Sequence, residues 1–418
     1  MRLGSPVLER ARPASPPPRT RLAIALARAA AAASRRLGAG AGGVIGGRIA
    51  CALDPEVLRH LGRGRTVVLV TGTNGKTTTA SMVARVLAPL GPVAANSDGA
   101  NMPDGIIGAL ADRPHAPVAV LEVDENYVAE VAQQLRPDCL VLLNLSRDQL
   151  DRVGEVRAVE RALRGAVAAL PGMAVVANCD DPLATSAAMA SARPVWVSAG
   201  GCWLEDARAC GRCGRPILDD GPTWRCTCGL VRPHPDWVLT GDEAVSVDGR
   251  RVPIALRLPG RANASNATMA VAVAALLGLD PGAAGAALDT ITDVAGRYRQ
   301  TRLAGHPVRV LLAKNPAGWR ETLPVLDERA PVVIAVNGRE ADGRDLSWLW
   351  DVPFERLRGR PVVAAGERSA DLAVRLTYAD VAHRRCADPV EAVAGLAPGR
   401  VELVANYTAF RQLGQWTG

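Results

Sequence analysis

The chain has 418 residues, 48% of them hydrophobic, and a net charge of +7. This length predicts two or three domains with substantial cores, and the modest charge disfavours a nucleic-acid-binding protein. Nine cysteines do not suggest a secreted disulfide scaffold in so long a chain. Residues 1–65 hold 12 arginines and three acidic residues, so the remainder is close to neutral. This basic segment could contact anionic lipid or a phosphorylated substrate, or could be a solvated arm.

The N-terminal region is predicted to contain disordered sequence and short helices. Residues 1–20 are rich in Pro, Arg and Ser and are expected to be disordered. Leu22–Ser34 predicts an Ala-rich amphipathic helix, because it is too short to span a membrane and contains Arg28. Gly38–Gly47 predicts a flexible or tightly turning loop, and Asp54–Leu61 predicts a short helix capped by its first residue.

From Thr66 onwards, apolar strands alternate with helices. The predicted strands are Thr66–Val70, Val118–Val123, Cys139–Asn144 and Met173–Asn178, and the predicted helices are Thr77–Leu90 and Asn263–Leu277. Such alternation predicts a parallel sheet with helices on both faces.

A glycine-rich loop joins the first strand to the first of these helices. Its residues are Gly72, Thr73, Asn74, Gly75, Lys76, Thr77 and Thr78. Glycines let backbone N–H groups surround phosphate oxygens, and the helix N-terminus adds partial positive charge. Lys76 would contact the outer phosphates and the Thr77 hydroxyl would bind Mg²⁺. The loop therefore predicts nucleotide binding.

Lysine is rare in this chain, with Lys76 and Lys314 the only two among 49 basic residues. A chain that uses arginine almost everywhere is expected to keep lysine where a compact ammonium is needed and a planar guanidinium would not fit. The second lysine lies in Leu311–Gly318, which therefore becomes a second candidate site.

Residues 199–237 interrupt the α/β pattern and predict an inserted module. Four cysteines there have the spacing of metal ligands, and they are Cys210, Cys213, Cys226 and Cys228. Two such pairs form the knuckles of a zinc ribbon, in which a closed tetrahedral site is structural. The second pair is short by one residue, so Cys202 or His234 could replace one ligand.

After about residue 300 a second α/β pattern begins. Its predicted strands are Val308–Ala313, Val332–Asn337 and Pro361–Ala365, and its predicted helices are Trp319–Leu326 and Ser369–Arg375. This length suits one small doubly wound domain.

The sequence Thr71–Thr79 (TGTNGKTTT) resembles the ATP loop of the Mur ligase family, which includes folylpolyglutamate synthases. The resemblance implies that ATP converts a carboxylate into an acyl phosphate, which an amine nitrogen then attacks. It implies Mg²⁺ at Thr77 and at Glu122, where a strand ends. Asp148-Gln149 stands where these ligases typically have Asp-His, so one contribution to a second metal is missing. Further matches imply nucleotide contacts for Asn178, Asp181, Asn263, Asn266 and Arg297.

The resemblance also implies an architecture. Residues 1–44 would form a basic arm and helix, and residues 45–300 a Mur ligase-like P-loop central domain carrying the zinc ribbon at 199–237. Residues 301–418 would form a smaller Rossmann-like α/β domain that binds a partner.

Three C-terminal stretches resemble the branch of this family that amidates a lipid-linked cell-wall precursor. They are Leu312–Gly318, Ala341–Asp351 and Tyr407–Phe410. The resemblance implies phosphorylation of the α-carboxylate of D-glutamate in the lipid II stem peptide, followed by attack of ammonia to give D-isoglutamine. It also implies a heterodimer with a GatD-type glutamine amidotransferase, and the absence of a nucleophile elbow in this sequence agrees with such a partner.

Roles for individual residues follow from this resemblance. Lys314 would neutralise the charge of the acyl phosphate, and Asn315 would orient the substrate carboxylate. Asp351 is expected to reach the partner's catalytic histidine as the third member of its triad, and Asp345 is the second choice.

Two other functions are compatible with parts of the sequence. A stand-alone Mur or folylpolyglutamate-type ligase would add an amino acid without glutamine, but would leave the cysteine insert and Asp342–Asp351 unexplained. A P-loop and zinc-ribbon protein that binds nucleic acid would show salt-dependent affinity. The ATP site predicts a cytoplasmic protein, with peripheral contact to the inner face of the cell membrane left open.

Overall fold

The protein is described here by a computed structural model that covers 13–36, 43–96, 100–147, 156–198, 206–221, 223–291 and 298–415. These residues form two compact units. The first contains residues 13–146, 156–257 and 262–291; the second contains residue 147, residues 258–261 and residues 298–415. No helix in the described ranges is both long and apolar enough to cross a bilayer.

The first unit contains helices and a large sheet. Its helices are α1 (Pro18–Arg36), α2 (Gly43–Leu53), α3 (Val57–Gly62), α4 (Lys76–Leu87), α5 (Pro103–Asp112), α6 (Val128–Leu135), α7 (Val156–Ala168), α8 (Pro182–Ala188), α9 (Arg261–Leu276) and α10 (Pro281–Leu288). Its strands are β1 (Thr66–Thr71), β2 (Val93–Ala95), β3 (Val118–Glu122), β4 (Cys139–Leu142), β5 (Ala174–Asn178), β6 (Pro194–Ser198), β7 (Ile217–Asp219), β8 (Trp224–Cys226), β9 (Trp237–Thr240), β10 (Glu243–Ser246) and β11 (Arg251–Pro253).

Nine of these strands form one sheet, in the order β11-β10-β9-β6-β5-β4-β1-β3-β2. The strands from β2 to β6 run parallel, and β9 continues them before β10 and β11 turn back as an antiparallel meander. All six residues of β1 are buried, as expected for a continuous apolar run in the middle of a parallel sheet. The predicted parallel α/β core is therefore confirmed.

The glycine-rich segment before β1 differs from its prediction. Residues 43–47 belong to α2 and are not a loop; the remainder, 38–42, lies outside the described residues. A Cβ at Gly46 would lie 2.9 Å from the carbonyl oxygen of Ala27 in α1, and one at Gly47 would clash with the backbone of Asp104 in α5. These glycines therefore allow three helices to pack closely, which compensates for their low helix propensity.

The predicted helix at Asp54–Leu61 begins later than expected, because α3 starts at Val57. The Asp54 carboxylate lies 3.0 Å from His60 Nδ1 and accepts a hydrogen bond from the Thr20 hydroxyl of α1 at 2.5 Å. Asp54 therefore joins α1 to α3 and does not serve as the helix cap. The prediction that residues 1–20 are disordered is wrong for residues 18–20, which belong to α1. Residues 1–12 lie outside the described ranges.

The cysteine insert contains no helix between residues 206 and 237 in its described part. Strands β7 and β8 form an antiparallel hairpin, separate from the main sheet. The insert ends earlier than predicted, because Trp237 already pairs with Val197 in the main sheet.

The second unit is built on a six-stranded sheet. Its strands are β12 (Tyr298–Leu303), β13 (His306–Leu312), β14 (Val332–Ala335), β15 (Val362–Ala365), β16 (His383–Arg385) and β17 (Val401–Ala405), and its helices are α11 (Pro316–Thr322), α12 (Ser369–Tyr378), α13 (Pro389–Ala394) and α14 (Tyr407–Gln415). Short 3₁₀ turns at Glu340–Asp342, Ser347–Asp351 and Phe354–Leu357 follow β14.

The strand order is β12-β13-β17-β14-β15-β16, with only β12 antiparallel to its neighbour. Trp319 of α11 packs in the core on one face of this sheet, and Phe410 of α14 packs in the core on the other. The helices that follow the neighbouring strands β13 and β17 therefore pack on opposite faces of the sheet. Open α/β sheets bind ligands beside the carboxyl ends of strands where the connections diverge in this way.

Candidate functional site

The glycine-rich loop occupies the turn between β1 and α4, as predicted. Gly72 and Gly75 have positive φ angles of 137° and 85°, which side chains bearing a Cβ rarely adopt. Thr73 N–H donates to Asn144 O at 2.9 Å, and Asn74 N–H donates to Asn144 Oδ1 at 2.9 Å. The segment after β4 thus supports the loop from behind and fixes its shape.

Thr77 and Glu122 lie at the start of α4 and the end of β3. The Thr77 hydroxyl donates to Glu122 Oε2 at 2.7 Å, and Asn101 Nδ2 donates to the other carboxylate oxygen at 3.3 Å. Asn96 pairs with the backbone of Glu122 through two hydrogen bonds of 2.8 Å. A hydroxyl and a carboxylate so close together match the oxygen ligands that Mg²⁺ prefers.

Lys76 is buried at the N-terminus of α4, where it pairs with an acidic residue to which the sequence prediction gave no role. Its Nζ donates to Gly72 O at 2.6 Å and lies 3.0 Å from Glu125 Oε2. Glu125 lies three residues after Glu122, and the sequence prediction assigned a role to Glu122 alone. A buried ammonium requires a counter-ion, and this requirement was the available signal.

The other predicted nucleotide contacts separate into two groups. Asn266 of α9 lies against the loop, since a Cβ at Gly75 would be 3.0 Å from Asn266 Oδ1. Asn263 lies one turn earlier on the same helix, and Thr78 is buried within α4. Arg297 and Asp148-Gln149 lie outside the described residues.

Asn178 and Asp181 instead organise the turn between β5 and α8. Asn178 Oδ1 accepts the Asp180 N–H at 2.9 Å, and Asp181 Oδ1 accepts two N–H groups of α8 as its N-cap. The second oxygen of Asp181 accepts Leu145 N–H at 2.9 Å. Burial raises the pKa of Asp181 to about 6. Asp181 thus supports the segment behind the phosphate loop, Asn178 shapes its own turn, and the described contacts of both residues are structural.

The four predicted cysteines come together in the insert. Their sulfur atoms all lie within 4.8 Å of one another, with Cys210 and Cys228 at 3.7 Å and Cys213 and Cys226 at 3.4 Å. The short second pair therefore needs no replacement ligand: His234 is not in the cluster, and Cys202 lies outside the described residues. Thiolate ligands at this spacing could bind a tetrahedral metal ion.

Hydrogen bonds attach the insert to the turn that follows β5, and Arg232 also donates to Ser198 of β6 at 2.7 Å. Trp224 Nε1 donates to Cys179 O at 3.1 Å, and Arg232 donates to Asp180 Oδ1 at 2.9 and 2.8 Å. Both partners belong to the turn that Asp181 completes.

The second candidate site lies at the carboxyl end of β13. A pocket there is lined by Arg147, Lys314, Asn315, Pro316, Asp342, Trp348 and Asp351. Asn315 is buried and caps α11, with its Oδ1 accepting Gly318 N–H at 2.8 Å. Asp351 lies 3.2 Å from Arg147, and both side chains are partly exposed.

The other acids of this segment have different surroundings. Asp345 does not line the pocket; its carboxylate accepts Ser347 N–H at 2.8 Å, and this bond lowers its pKa. Asp342 is buried, which raises its pKa, and it accepts Thr408 N–H at 2.8 Å. Asp342 thus joins the segment to α14, a role that the sequence did not suggest.

Comparison with known proteins matches both units. Residues 70–201 match the Mur ligase middle domain, and residues 312–410 match the MurT ligase C-terminal family. The subunit MurT of lipid II isoglutaminyl synthase (glutamine-hydrolyzing) from Staphylococcus aureus is 30% identical over 363 residues, which is 80% of this chain and 82% of that protein. The Streptococcus pneumoniae subunit of the same name is 29% identical over 81% of this chain and 82% of its own length.

Solved structures agree on the fold. A pseudomurein peptide ligase type C from Methanothermus fervidus matches with a TM-score of 0.66 and 18% identity, covering 84% of this chain and 78% of its own. MurF from Acinetobacter baumannii matches with a TM-score of 0.65 and 19% identity, covering 88% and 79%. The fold is therefore that of a Mur ligase, and the chain belongs to the MurT family of ligase subunits.

Proposed function

We propose that this chain is the ATP-dependent subunit that amidates the α-carboxylate of D-glutamate in the lipid II stem peptide to give D-isoglutamine. The observation that carries the proposal is the match of residues 312–410 to the MurT ligase C-terminal family, since that region contains Lys314, Asn315 and Asp351. The relative from S. aureus, a subunit of a glutamine-hydrolyzing lipid II isoglutaminyl synthase, supports the substrate and the use of glutamine.

The chemistry requires two steps. The substrate carboxylate attacks the γ-phosphorus of ATP, which forms an acyl phosphate and releases ADP. The nitrogen of ammonia then attacks the carbonyl carbon, the bond to the phosphate oxygen breaks, and phosphate leaves with the electron pair. Lys314 would stabilise the negative charge of the acyl phosphate and of the departing phosphate.

The nucleotide would bind the loop Gly72–Thr78. Backbone N–H groups, Lys76 and the N-terminus of α4 supply positive potential to the phosphates. Asn263, Asn266 and Arg297 would contact the nucleotide from α9 and from the end of the central domain, and the resemblance adds Asn178 and Asp181 as further contacts. Mg²⁺, held by Thr77 and Glu122, would neutralise the outer phosphates when bound.

The ammonia would come from a GatD-type glutamine amidotransferase that forms a heterodimer with this chain. Asp351 would complete the partner's catalytic triad by orienting its histidine. The pocket location of Asp351, and the use of Asp345 in a local turn, support Asp351 as the residue that reaches out.

The cysteine cluster is proposed to be a structural zinc ribbon. A Zn–S bond of about 2.3 Å in tetrahedral geometry separates neighbouring sulfur atoms by about 3.8 Å. The sulfur distances of 3.7 and 3.4 Å are close to this value. With four protein ligands no position remains for a substrate, so the ion would stabilise the insert.

The proposed domain division keeps a basic arm at 1–44, an ATP-binding domain at 45–300 and a Rossmann-like partner-binding domain at 301–418. We place the protein in the cytoplasm, in peripheral contact with the inner face of the membrane. Helix α1 supports this contact, because it contains no acidic residue and exposes Leu22 and Leu26. Sedimentation with anionic vesicles, compared for the wild type and Leu22→Glu, tests it; equal sedimentation would contradict the contact.

The main test supplies the purified chain with lipid II, ATP, Mg²⁺ and glutamine, with and without the glutaminase partner. The expected product has NH₂ in place of OH on the D-glutamate, formed from glutamine only when the partner is present. A product that contains a whole added amino acid would indicate the stand-alone ligase instead, and an unchanged substrate would contradict both functions.

A further inference from the structure

The contact between Lys76 and Glu125 has no part in the chemistry described above. Lys76 Nζ lies 3.0 Å from Glu125 Oε2, and the two side chains are only 4% and 11% exposed. The same nitrogen donates to Gly72 O at 2.6 Å and approaches Thr73 O at 3.4 Å. The ammonium group is thus held against the loop and turned towards a carboxylate.

Glu125 differs from the nearby Glu122 in its partners. Glu122 accepts hydrogen bonds from Thr77 and Asn101, both neutral groups, and so remains available to a cation. Glu125 is in the turn between β3 and α6, and it neutralises the single lysine of the loop. The two carboxylates therefore have separate tasks although they are three residues apart.

A triphosphate and Glu125 compete for the same cation. Phosphate oxygens that approach Lys76 would be repelled by a carboxylate that is already in contact with it, and this repulsion is strong where water is excluded. In the absence of nucleotide, however, a neutral residue at position 125 would remove a negative charge 3.0 Å from a buried ammonium, which is costly. The same residue should thus stabilise the empty loop and weaken nucleotide binding.

We propose that Glu125 is a displaceable counter-ion, which holds Lys76 in the nucleotide-free loop and is exchanged for phosphate when the nucleotide binds. This proposal rests on the proposed function, in which this loop binds ATP. Glu125 acts through Lys76 and is therefore a positioning residue. In this role Glu125 keeps the loop folded between turnovers, and it weakens nucleotide binding enough for the product nucleotide to dissociate.

The test is Glu125→Gln in the full-length chain, which keeps the shape and removes the charge. Affinity for a non-hydrolysable ATP analogue with Mg²⁺ is measured by calorimetry, and the melting temperature is measured without nucleotide. We expect the variant to bind the analogue about fivefold more tightly, because a larger fraction of the protein has Lys76 available to phosphate. We also expect a lower melting temperature without nucleotide. A purely structural role would lower the affinity and the melting temperature together.

Asp124→Asn is the matched control, because it removes one negative charge at the adjacent position. The Asp124 carboxylate accepts hydrogen bonds from Asn126 at 3.1 and 3.0 Å and has no described contact with Lys76. Affinity and melting temperature are expected to stay at wild-type values. If Asp124→Asn tightened binding as much as Glu125→Gln, general charge would explain the result and the proposal would be wrong.

Other outcomes are equally decisive. Unchanged or weaker nucleotide binding by Glu125→Gln overturns the proposal, and a loss seen only with Mg²⁺ would make Glu125 a metal ligand. If that variant does not fold, Glu125→Asp retains the charge but withdraws it by one methylene, and it should also bind more tightly than the wild type. Failure of the wild type itself to bind nucleotide would contradict the proposed function and not the counter-ion alone.

Discussion

Lys314 lines a pocket together with Asn315, Trp348 and Asp351. The side chain at this position therefore has bulky and charged neighbours. Lys314→Arg keeps the charge but replaces a compact ammonium by a wide planar group with a different hydrogen-bond geometry. We expect amidation to fall about 100-fold, as for the loss of one group that stabilises charge in a transition state. Steady-state kinetics measure the fall, and an unchanged melting temperature shows that the fold is intact.

Arg320→Lys is the control for this prediction, because Arg320 is exposed on α11, six positions along the chain. Turnover should remain at the wild-type rate. Full activity of Lys314→Arg would show that any cation suffices at this position.

Asp181 makes stability depend on pH. Burial raises its pKa in the folded protein to about 6, above the ordinary value of 3.8 for an aspartate. Between these values the unfolded chain loses its proton and the folded chain keeps it, so the free energy of unfolding should decrease as the pH rises from about 4 to 6. Urea titrations of the wild type and Asp181→Asn test this. The difference in the free energy of unfolding between the two proteins should change between about pH 4 and 6 and be constant above pH 6. If the two plots of free energy against pH were parallel throughout, the raised pKa would be contradicted.

At the level of elements, the cysteine hairpin depends on its sulfur cluster. Its core contains only a few buried residues, among them Trp224 and Leu230. Cys213→Ser is therefore expected to abolish zinc binding and to lower the melting temperature, because a bound metal supplies much of the folding energy of so small a module. Metal analysis and thermal unfolding give the two readouts. Cys386→Ser, outside the cluster, should retain the metal; equal metal content in both variants would exclude the zinc ribbon.

The strands that the sequence revealed most clearly were continuous apolar runs such as β1. Strand β17 was missed although it lies between β13 and β14, because Glu402 interrupts its apolar pattern. The structure shows why this acid is tolerated: Glu402 is fully buried and pairs with Arg309 of β13 at 2.7 Å. A charge pair split between two distant segments cannot be recognised from either segment alone.

The start of helix α2 was predicted to be a loop, because its sequence contains several glycines. Glycines usually indicate turns, and local propensity alone favoured a loop here. Their effect in the fold depends on the backbones of α1 and α5, which approach too closely for any side chain at Gly46 or Gly47. Tertiary packing thus overrides the local signal, and the sequence does not reveal which helix will be the neighbour.

At the scale of the whole molecule, the proposed division of labour between two proteins gives a sharp test at Asp351. Asp351→Asn should abolish amidation that uses glutamine, because the partner's histidine loses its orienting carboxylate; such losses reach about 10⁴-fold. Amidation supplied with ammonium salt should persist, since the ligase chemistry does not need this group. Product analysis with each nitrogen source measures both rates.

Asp345→Asn is the control, because Asp345 serves a local turn. It should use glutamine and ammonium as the wild type does. If Asp345→Asn and not Asp351→Asn lost glutamine-dependent amidation, the assignment of the triad member would have to be exchanged.

The sequence located both candidate sites through short contiguous motifs, and the structure brings the loop residues Gly72–Thr78 together with Glu122 and Asn266. It did not reveal Glu125 as the partner of Lys76 or Asp342 as the partner of Thr408, because each pair joins two segments that are separate in the sequence. Contiguous motifs report the chemistry of a site, whereas the pairing of side chains depends on the tertiary fold.

The turn Cys179–Asp181 has a thermodynamic consequence. Its first two residues hold the cysteine hairpin through Trp224 and Arg232, and its third holds Leu145 in the segment behind the phosphate loop. If a metal ion bound in the hairpin changes the affinity of the loop for nucleotide, thermodynamic linkage requires that bound nucleotide changes the affinity of the hairpin for the metal by the same factor. The affinity of the cluster for Zn²⁺, measured with and without nucleotide, would therefore report the state of a loop that contains no metal ligand of the cluster.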